Sequence, residues 1–377
     1  MSDTKGNDYR KNVIQPTMPL TNLQYGLLSE IMGQSFLASE ACNCSAPDTG
    51  NMEVLLHFGL REQQHQYLLP LLHGKTRSTF LMTEPNVASS DATNIGTCLT
   101  KVLDTKGNVL HYVLNGTKWW STGAMDPRCE VAIIMARMKN KDNNRNENSP
   151  LLASKSQERR KRHGMHTMIV LPMSTPGIKC VRPLTVFGYD DAPHGHAVVR
   201  LTNVIVQPNN IIKGVGHGFH IAQQRLGPGR IHHCMRSIGL ASRAYSLMLD
   251  RVVLQHRYTF GKALFEHGMM QSMIAKSKAD LDMARLLTLS TANAMDTMGV
   301  KEARDQIAMI KYSVPHLTMK VVDRAIQAHG GLGVCDDVPL ARMWAGLRTL
   351  RIADGPDEVH LRTVALLEVK KLMLAHQ

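Results

Sequence analysis

Hydrophobic positions fall into three successive patterns along this chain. In "TNLQYGLLSEIMGQSFLA", Leu23, Leu27, Ile31 and Phe36 recur at roughly helical spacing, and Thr21 or Asn22 can cap the start. "MEVLLHFG" and "REQQHQYLLPLLHG" predict two more helices, each closed by a glycine just past its end. From about residue 80 the period changes. "TFLMTEP", "TCLTKVL", "HYVLNGTKWW", "VAIIMARM", "HTMIVLPM", "IKCVRPL" and "HAVVRLTNVIV" are short β-branched runs separated by Gly, Asn, Asp or Pro, which predicts a barrel or sandwich. After "GVGHG" at 214–218 the helical pattern returns. Ile274, Leu281, Thr288 and Met295 repeat at seven, with Ala284 and Thr291 between them, as in a long antiparallel-bundle helix. A further helix follows, with a kink expected at Pro315 and a stop at Gly330-Gly331. The order predicts an α+β multi-domain chain: N-terminal helices over 1–79, a middle β-barrel or sandwich over 80–208, and a C-terminal four-helix bundle over 209–377.

The 377 residues, 43% of them hydrophobic, suit a soluble globular protein of two or three packed units. No apolar run approaches the roughly eighteen residues of a membrane span, so no transmembrane segment is expected. The start lacks a hydrophobic signal core, and Asp3 and Asp8 argue against a transit peptide. The seven Cys lack zinc-like spacing and read as reduced thiols, with no metal site. These features predict an intracellular protein with no clear targeting signal, whether mitochondrial, peroxisomal or cytoplasmic. Much of the net charge of +13 lies in "KSQERRKRH" at 155–163, within a polar tract over 139–163 that reads as a solvated loop insertion. No aromatic platform accompanies that charge, so nucleic acid is not the expected partner. A phosphorylated small ligand would be drawn to it equally well.

Three stretches could carry chemistry. "RIADGPDEVH" sets Asp354, Asp357 and Glu358 around a Gly-Pro pair between two helical patterns. Asp354 is a candidate base or a helix cap, and Asp357 is the better cap. "MTEPNVASSD" and "NGTKWWSTGA" bring hydroxyls and indoles to strand ends, which suits a heterocycle edge but equally a stacked turn in a core. In "GPGRIHHCM", Pro228 can start a helix with Arg230 in its first turn. His232 and His233 would point about 100° apart on that helix, so at most one can face a given slot.

"TEP…SSD", "NGTKWWST", "RYTFGK", "AIQAHGGLGV" and an acid-Gly corner occur here in that order. With the helix–β–helix plan, they make the chain resemble the acyl-CoA dehydrogenase family of flavoenzymes over about 20–372. "TVFGYDD", "RLGPGRIHHCMR" and "LRIADGPDEVH" closely resemble the branch called family members ten and eleven, whose larger relatives add a kinase-like domain for which this chain has no room. The segment ahead of "MTEP" is a helix or two shorter than is usual in the family.

The resemblance implies an FAD-dependent enzyme that converts an acyl-CoA thioester to 2-enoyl-CoA. A carboxylate takes the α-proton while hydride passes to flavin N5. That carboxylate would be Asp354, where most members carry Glu, beside Gly355, which lets the substrate approach closely. Some relatives place the base near the position of Gly229, where this chain has none. Burial between flavin and substrate would raise the pKa of Asp354. By the same resemblance Phe80, Met82, Thr83, Ser89 and Ser90 would hold the isoalloxazine edge, and Trp120, Ser121 and Thr122 would cover its face. Arg257, Thr259, Gln327, Gly330 and Gly331 would reach the pyrophosphate and adenine of a cofactor in the neighbouring subunit, with Glu358 also on the cofactor side. That sharing implies a homodimer or homotetramer. Ser89, Gly227, Arg230, His232, His233 and Gly355 would line the substrate slot, and one histidine facing it would suit an oxygenated chain such as a 4-hydroxyacyl group. An electron-transfer flavoprotein is the implied acceptor. The alternatives are an acyl-CoA oxidase using oxygen and a non-catalytic binding or scaffold protein on the same fold.

Overall fold

A computed structural model describes residues 20–88, 91–139 and 164–376. Ser89, Ser90 and nearly all of the polar tract at 139–163 lie outside the described residues, as does the surface around Gly227.

The N-terminal helices are α1 (Asn22–Gly33), α2 (Ala38–Ala41), α3 (Asp48–Phe58), α4 (Arg61–Gln63) and α5 (Leu69–Leu72), the last two joined by a π turn over Gln64–Leu68. Thr21 caps α1 in a reciprocal box with Gln24. The buried face of α1 differs from its apolar stripe: Gly26, Ser29, Glu30 and Gly33 are buried, whereas Leu27 and Ile31 are 47% and 66% exposed. The cause is a backbone-to-backbone crossing. A Cβ on Gly239 would sit 1.9 Å from the Glu30 carbonyl, and one on Gly33 2.2 Å from that of Arg236. Only glycines allow α1 to lie this close to the helix below it.

The middle region is one seven-stranded sheet: β1 (Arg77–Leu81), β2 (Cys98–Leu103), β3 (Val109–Thr122), β4 (Cys129–Met138), β5 (His166–Pro172), β6 (Ile178–Leu184) and β7 (His196–Val206). The order is β1-β4-β2-β3-β7-β6, with β5 also on β4; β4 runs parallel to β1 and β2, and the other pairs are antiparallel. Strand alternation divides β4 between two cores. Ala132, Ile134 and Ala136 join the core inside the sheet, while Val131, Ile133 and Met135 pack with Val54, Leu55 and Leu71 of the N-terminal helices. Each fully buried aliphatic side chain here contributes about 1.5–3 kcal/mol. The sheet is thereby clamped to the helices in front of it.

The C-terminal region comprises α6 (Gly218–Val252), a hairpin of β8 (Tyr258–Thr259) and β9 (Lys262–Ala263), α7 (Gly268–Met298), α8 (Arg304–His329), α9 (Leu340–Leu350) and α10 (Asp357–Ala375). Residues of α6 to α9 build the largest core, in which Leu281, Ala284 and Met295 of the seven-residue repeat take part. Central α8 packs against α6, α7, α9 and α10, and it runs through Pro315 to Gly330, whose φ of 65° ends it. Pro228 does not start a helix. It sits inside the 35-residue α6, which is anchored on either side of it by Ile221 and Ala222 before and Ile231, Cys234 and Met235 after. Tertiary packing at both ends outweighs the one intrahelical hydrogen bond a proline forfeits, so Arg230 lies mid-helix rather than in a first turn.

Candidate functional site

Between α9 and α10 the chain turns through two consecutive left-handed residues, Asp354 at φ 55° and Gly355 at φ 98°. Asp357 locks the turn from its far side. Its N–H donates to the Arg351 carbonyl (3.1 Å), while Oδ2 accepts from Arg351 Nε (2.7 Å) and meets His316 Nε2 at 2.9 Å. Asp354 makes no capping bond to α10, which leaves its carboxylate available.

Three elements hold the main chain of this corner. From α6, Arg230 Nη2 donates to the Asp354 carbonyl (3.4 Å), and from α10 His360 Nε2 donates to it at 3.2 Å. From α8, the fully buried Lys311 donates to the carbonyls of Leu350 and Gly355, the latter at 3.4 Å. The Asp354 side chain is held separately: its Oδ2 lies 3.2 Å from His233 Nε2, with both side chains about a quarter exposed (24% and 25%).

The charges around Asp354 correct one expectation. Burial does push its carboxyl up, but the hydrogen bond and charge of His233 and the guanidinium charges of Arg225 and Arg230 outweigh it, holding the group well below the usual carboxylate range. Burial brings His360 down to about 4, helped by the charges of Arg230 and Lys311. It brings His232 down to about 3, helped by Arg236 and His233. The adjacent histidines divide as helical geometry requires: His233 meets Asp354, and His232 stacks on Tyr25 of α1 with ring centroids 4.2 Å apart.

Arg225, which sequence reasoning missed, stacks its guanidinium 4.1 Å from the Phe80 ring and donates to the Pro47 carbonyl (3.4 Å). It thus ties β1 and the N-terminal helices to α6. The buried Nε atoms of Arg225 and Arg230 have no protein partner.

A second group sits where β1 and β3 end. Thr83 and Trp119 exchange bonds, Thr83 Oγ1 donating to the Trp119 carbonyl (2.8 Å) and Trp119 N–H to the Thr83 carbonyl (3.1 Å). Lys118, wholly buried, donates to the Met82 carbonyl (3.0 Å) and to Glu84 (2.8 Å). Glu84 also accepts the N–H groups of Gly96 (2.6 Å) and Thr97 (2.9 Å). Neither Lys118 nor Glu84 was singled out from the sequence, although Lys118 shares the inward phase of Tyr112 and Leu114 on β3. Trp120 bulges out of that strand with φ 49° and stays 40% exposed, edge-on to His196 at 5.4 Å. Thr122 Oγ1 bonds His196 Nδ1 (2.9 Å), and the buried Ser121 hydroxyl has no protein partner.

The remaining candidates lie apart from both groups. Arg257 and Thr259 belong to the β8–β9 hairpin, whose tip, Phe260, is 94% exposed. Gln327, Gly330 and Gly331 are exposed at the end of α8, and Glu358 in the first turn of α10. A Cβ on Gly330 or Gly331 would meet open space, so their main chain is free for a ligand to approach. Among the described residues, no hydrogen bond or ion pair joins this set to the Trp120 group, and no cluster of three His, Cys, Asp or Glu side chains could hold a metal.

Comparison with known proteins covers nearly all of this frame. The middle domain of the acyl-CoA dehydrogenases matches residues 79–204, and their C-terminal domain matches 216–366. "Probable acyl-CoA dehydrogenase IBR3" of Arabidopsis thaliana is 51% identical over 93% of this chain, and "Acyl-CoA dehydrogenase family member 11" of Rattus norvegicus is 48% identical over 93%. The chain spans 40% and 42% of their respective lengths. A solved Mycobacterium abscessus structure assigned to the acyl-CoA dehydrogenases superposes with a TM-score of 0.83 at 43% identity, over 94% of this chain and 80% of that one. Matched in sequence and in fold from the N-terminal helices through the last one, this chain belongs to the acyl-CoA dehydrogenase family.

Proposed function

We propose that this chain is an FAD-dependent acyl-CoA dehydrogenase in which Asp354 abstracts the α-proton of an acyl-CoA thioester to yield the 2-enoyl-CoA. One observation carries the reading. The carboxylate projects from a left-handed corner whose main chain is fixed by Arg230, Lys311 and His360, and its own partner is the His233 imidazole. The positive groups around it keep it ionised, the form that can take a proton.

The residues present fit a flavin. Trp120 offers an exposed indole face, Ser121 a buried hydroxyl without a protein partner, and Gly330-Gly331 an open main chain for a phosphate group. Bound FAD would supply the two-electron acceptor of the reaction. Thr83 and Trp119 would fix the strand ends beneath it, and Arg257 would meet its phosphates. The placing of the Arg257–Gly331 set, on the exposed β8–β9 hairpin and at the end of α8, supports a site shared between subunits. So does the outer face of α10, where Leu366, Leu372 and Leu374 are 52%, 61% and 59% exposed. A homodimer or homotetramer passing electrons to an electron-transfer flavoprotein completes the reading.

The test mixes purified holoenzyme anaerobically with acyl-CoAs of graded chain length and follows flavin bleaching. Asp354→Asn should keep its colour and bind acyl-CoA but bleach about 10²–10⁴-fold more slowly. Bleaching at the wild-type rate would remove Asp354 from the role.

A further inference from the structure

We propose that His233 is the positioning partner of Asp354, donating Nε2–H to Oδ2 and so aiming Oδ1 at the proton that the carboxylate takes. This inference rests on the reading of Asp354 as the base. Its first support is geometry: His233 Nε2 lies 3.2 Å from Oδ2, and no other side chain among the described residues hydrogen-bonds that carboxylate. The neighbouring His232 is committed to Tyr25, so the helix presents one imidazole to the corner and not two. A quarter of each side chain remains exposed, which keeps the pair within reach of a ligand.

Chemistry supplies the second support. A carboxylate stabilised by Arg225 and Arg230 is a weak proton acceptor on its own. Its aim therefore matters: the Nε2–H that His233 donates to Oδ2 occupies that oxygen and leaves Oδ1 to act. The α C–H bond breaks, its electron pair stays on the thioester, and the O–H bond forms on Oδ1 of Asp354, with the His233 bond intact. The other titratable or charged groups around Asp354 are Arg225, Arg230, Cys234 and Arg236 on α6, Lys311 on α8 and His360 on α10. None of these lies against the Asp354 carboxylate as His233 does.

The test follows exchange of the α-hydrogens of butanoyl-CoA and octanoyl-CoA with D₂O, by NMR, on anaerobic holoenzyme from about pH 5 to about pH 9. A second measurement follows the Asp354 carboxyl by ¹³C NMR in holoenzyme without acyl-CoA. His233→Gln should slow exchange about 10–100-fold and raise the pH at which the carboxyl titrates. Unchanged exchange and carboxyl titration in His233→Gln, with exchange lost in Asp354→Asn, overturns the role of His233 alone. Wild-type exchange in Asp354→Asn overturns the base assignment and this inference with it. Should His233→Gln not fold, the wild-type titration decides: coupled steps at Asp354 and His233 support the pair, and independent ones refute it.

Discussion

Replacing Glu84 with Gln should unfold the cofactor side of the sheet more readily than removing its partner, Lys118. The Lys118 ammonium is fully buried and has two acceptors, Glu84 at 2.8 Å and the Met82 carbonyl at 3.0 Å. With glutamine at 84, the buried cation loses its carboxylate and keeps neutral carbonyl acceptors alone, and breaking such a pair costs about 3–5 kcal/mol. Lys118→Met instead leaves Glu84 accepting the N–H groups of Gly96 and Thr97, so the loss should be about 1–2 kcal/mol smaller. The pH dependence separates the two variants further. Burial brings Lys118 down to about 8, and Glu84 offsets part of that fall. Without Glu84 the folded protein releases the Lys118 proton at still lower pH, while the unfolded chain keeps it up to the ordinary lysine range. Across that window the unfolded state binds more protons, so stability rises with pH by up to about 1.4 kcal/mol per unit. In Glu84→Gln the rise begins below the wild-type onset, and in Lys118→Met it is absent. Urea unfolding followed by tryptophan fluorescence, repeated from neutral to alkaline pH, measures both. Equal losses in the two variants, or matching pH slopes, would refute the account.

Two shorter predictions concern the corner. Gly355→Ala places a methyl at φ 98° and 2.9 Å from His360 Nε2, which cannot yield without losing its bond to Asp354. A loss of about 1–3 kcal/mol in urea unfolding is expected, and a change under about 0.5 kcal/mol would contradict it. His360 is buried with its ring held near 4, below the unfolded value, so the unfolded chain binds the extra proton as pH falls through that window. Wild-type stability should therefore drop on acidification by about 2–3 kcal/mol from this residue, and His360→Gln should flatten that part of the acid melting profile, whereas an unchanged profile would place the charge elsewhere.

The helix–sheet–helix plan was legible from the seven-residue recurrence of Leu281, Thr288 and Met295 in α7 and from short apolar runs such as "VAIIMARM" in β4. Reading failed where packing between distant segments overrode local pattern. Leu27 and Ile31 look like a core stripe, yet the glycine crossing with α6 turns them outward. Pro228 looks like a helix start, yet core contacts on both sides carry α6 through it. The acid at the corner was visible from its neighbours in sequence. Its lowered proton affinity was not, because His233, Arg225 and Arg230 come from a helix more than a hundred residues earlier. Lys118 was hidden among the indoles of "NGTKWW", and only its phase with Tyr112 and Leu114 marks it as inward.

The corner separates mounting from reach. Arg230, Lys311 and His360 grip only carbonyl oxygens, which every amino acid possesses, while His233 alone addresses the side chain. The acid at 354 can therefore be lengthened without disturbing the turn that carries it. Exchanging Asp for Glu there becomes a way to move the carboxylate outward by one carbon, with the scaffold standing still.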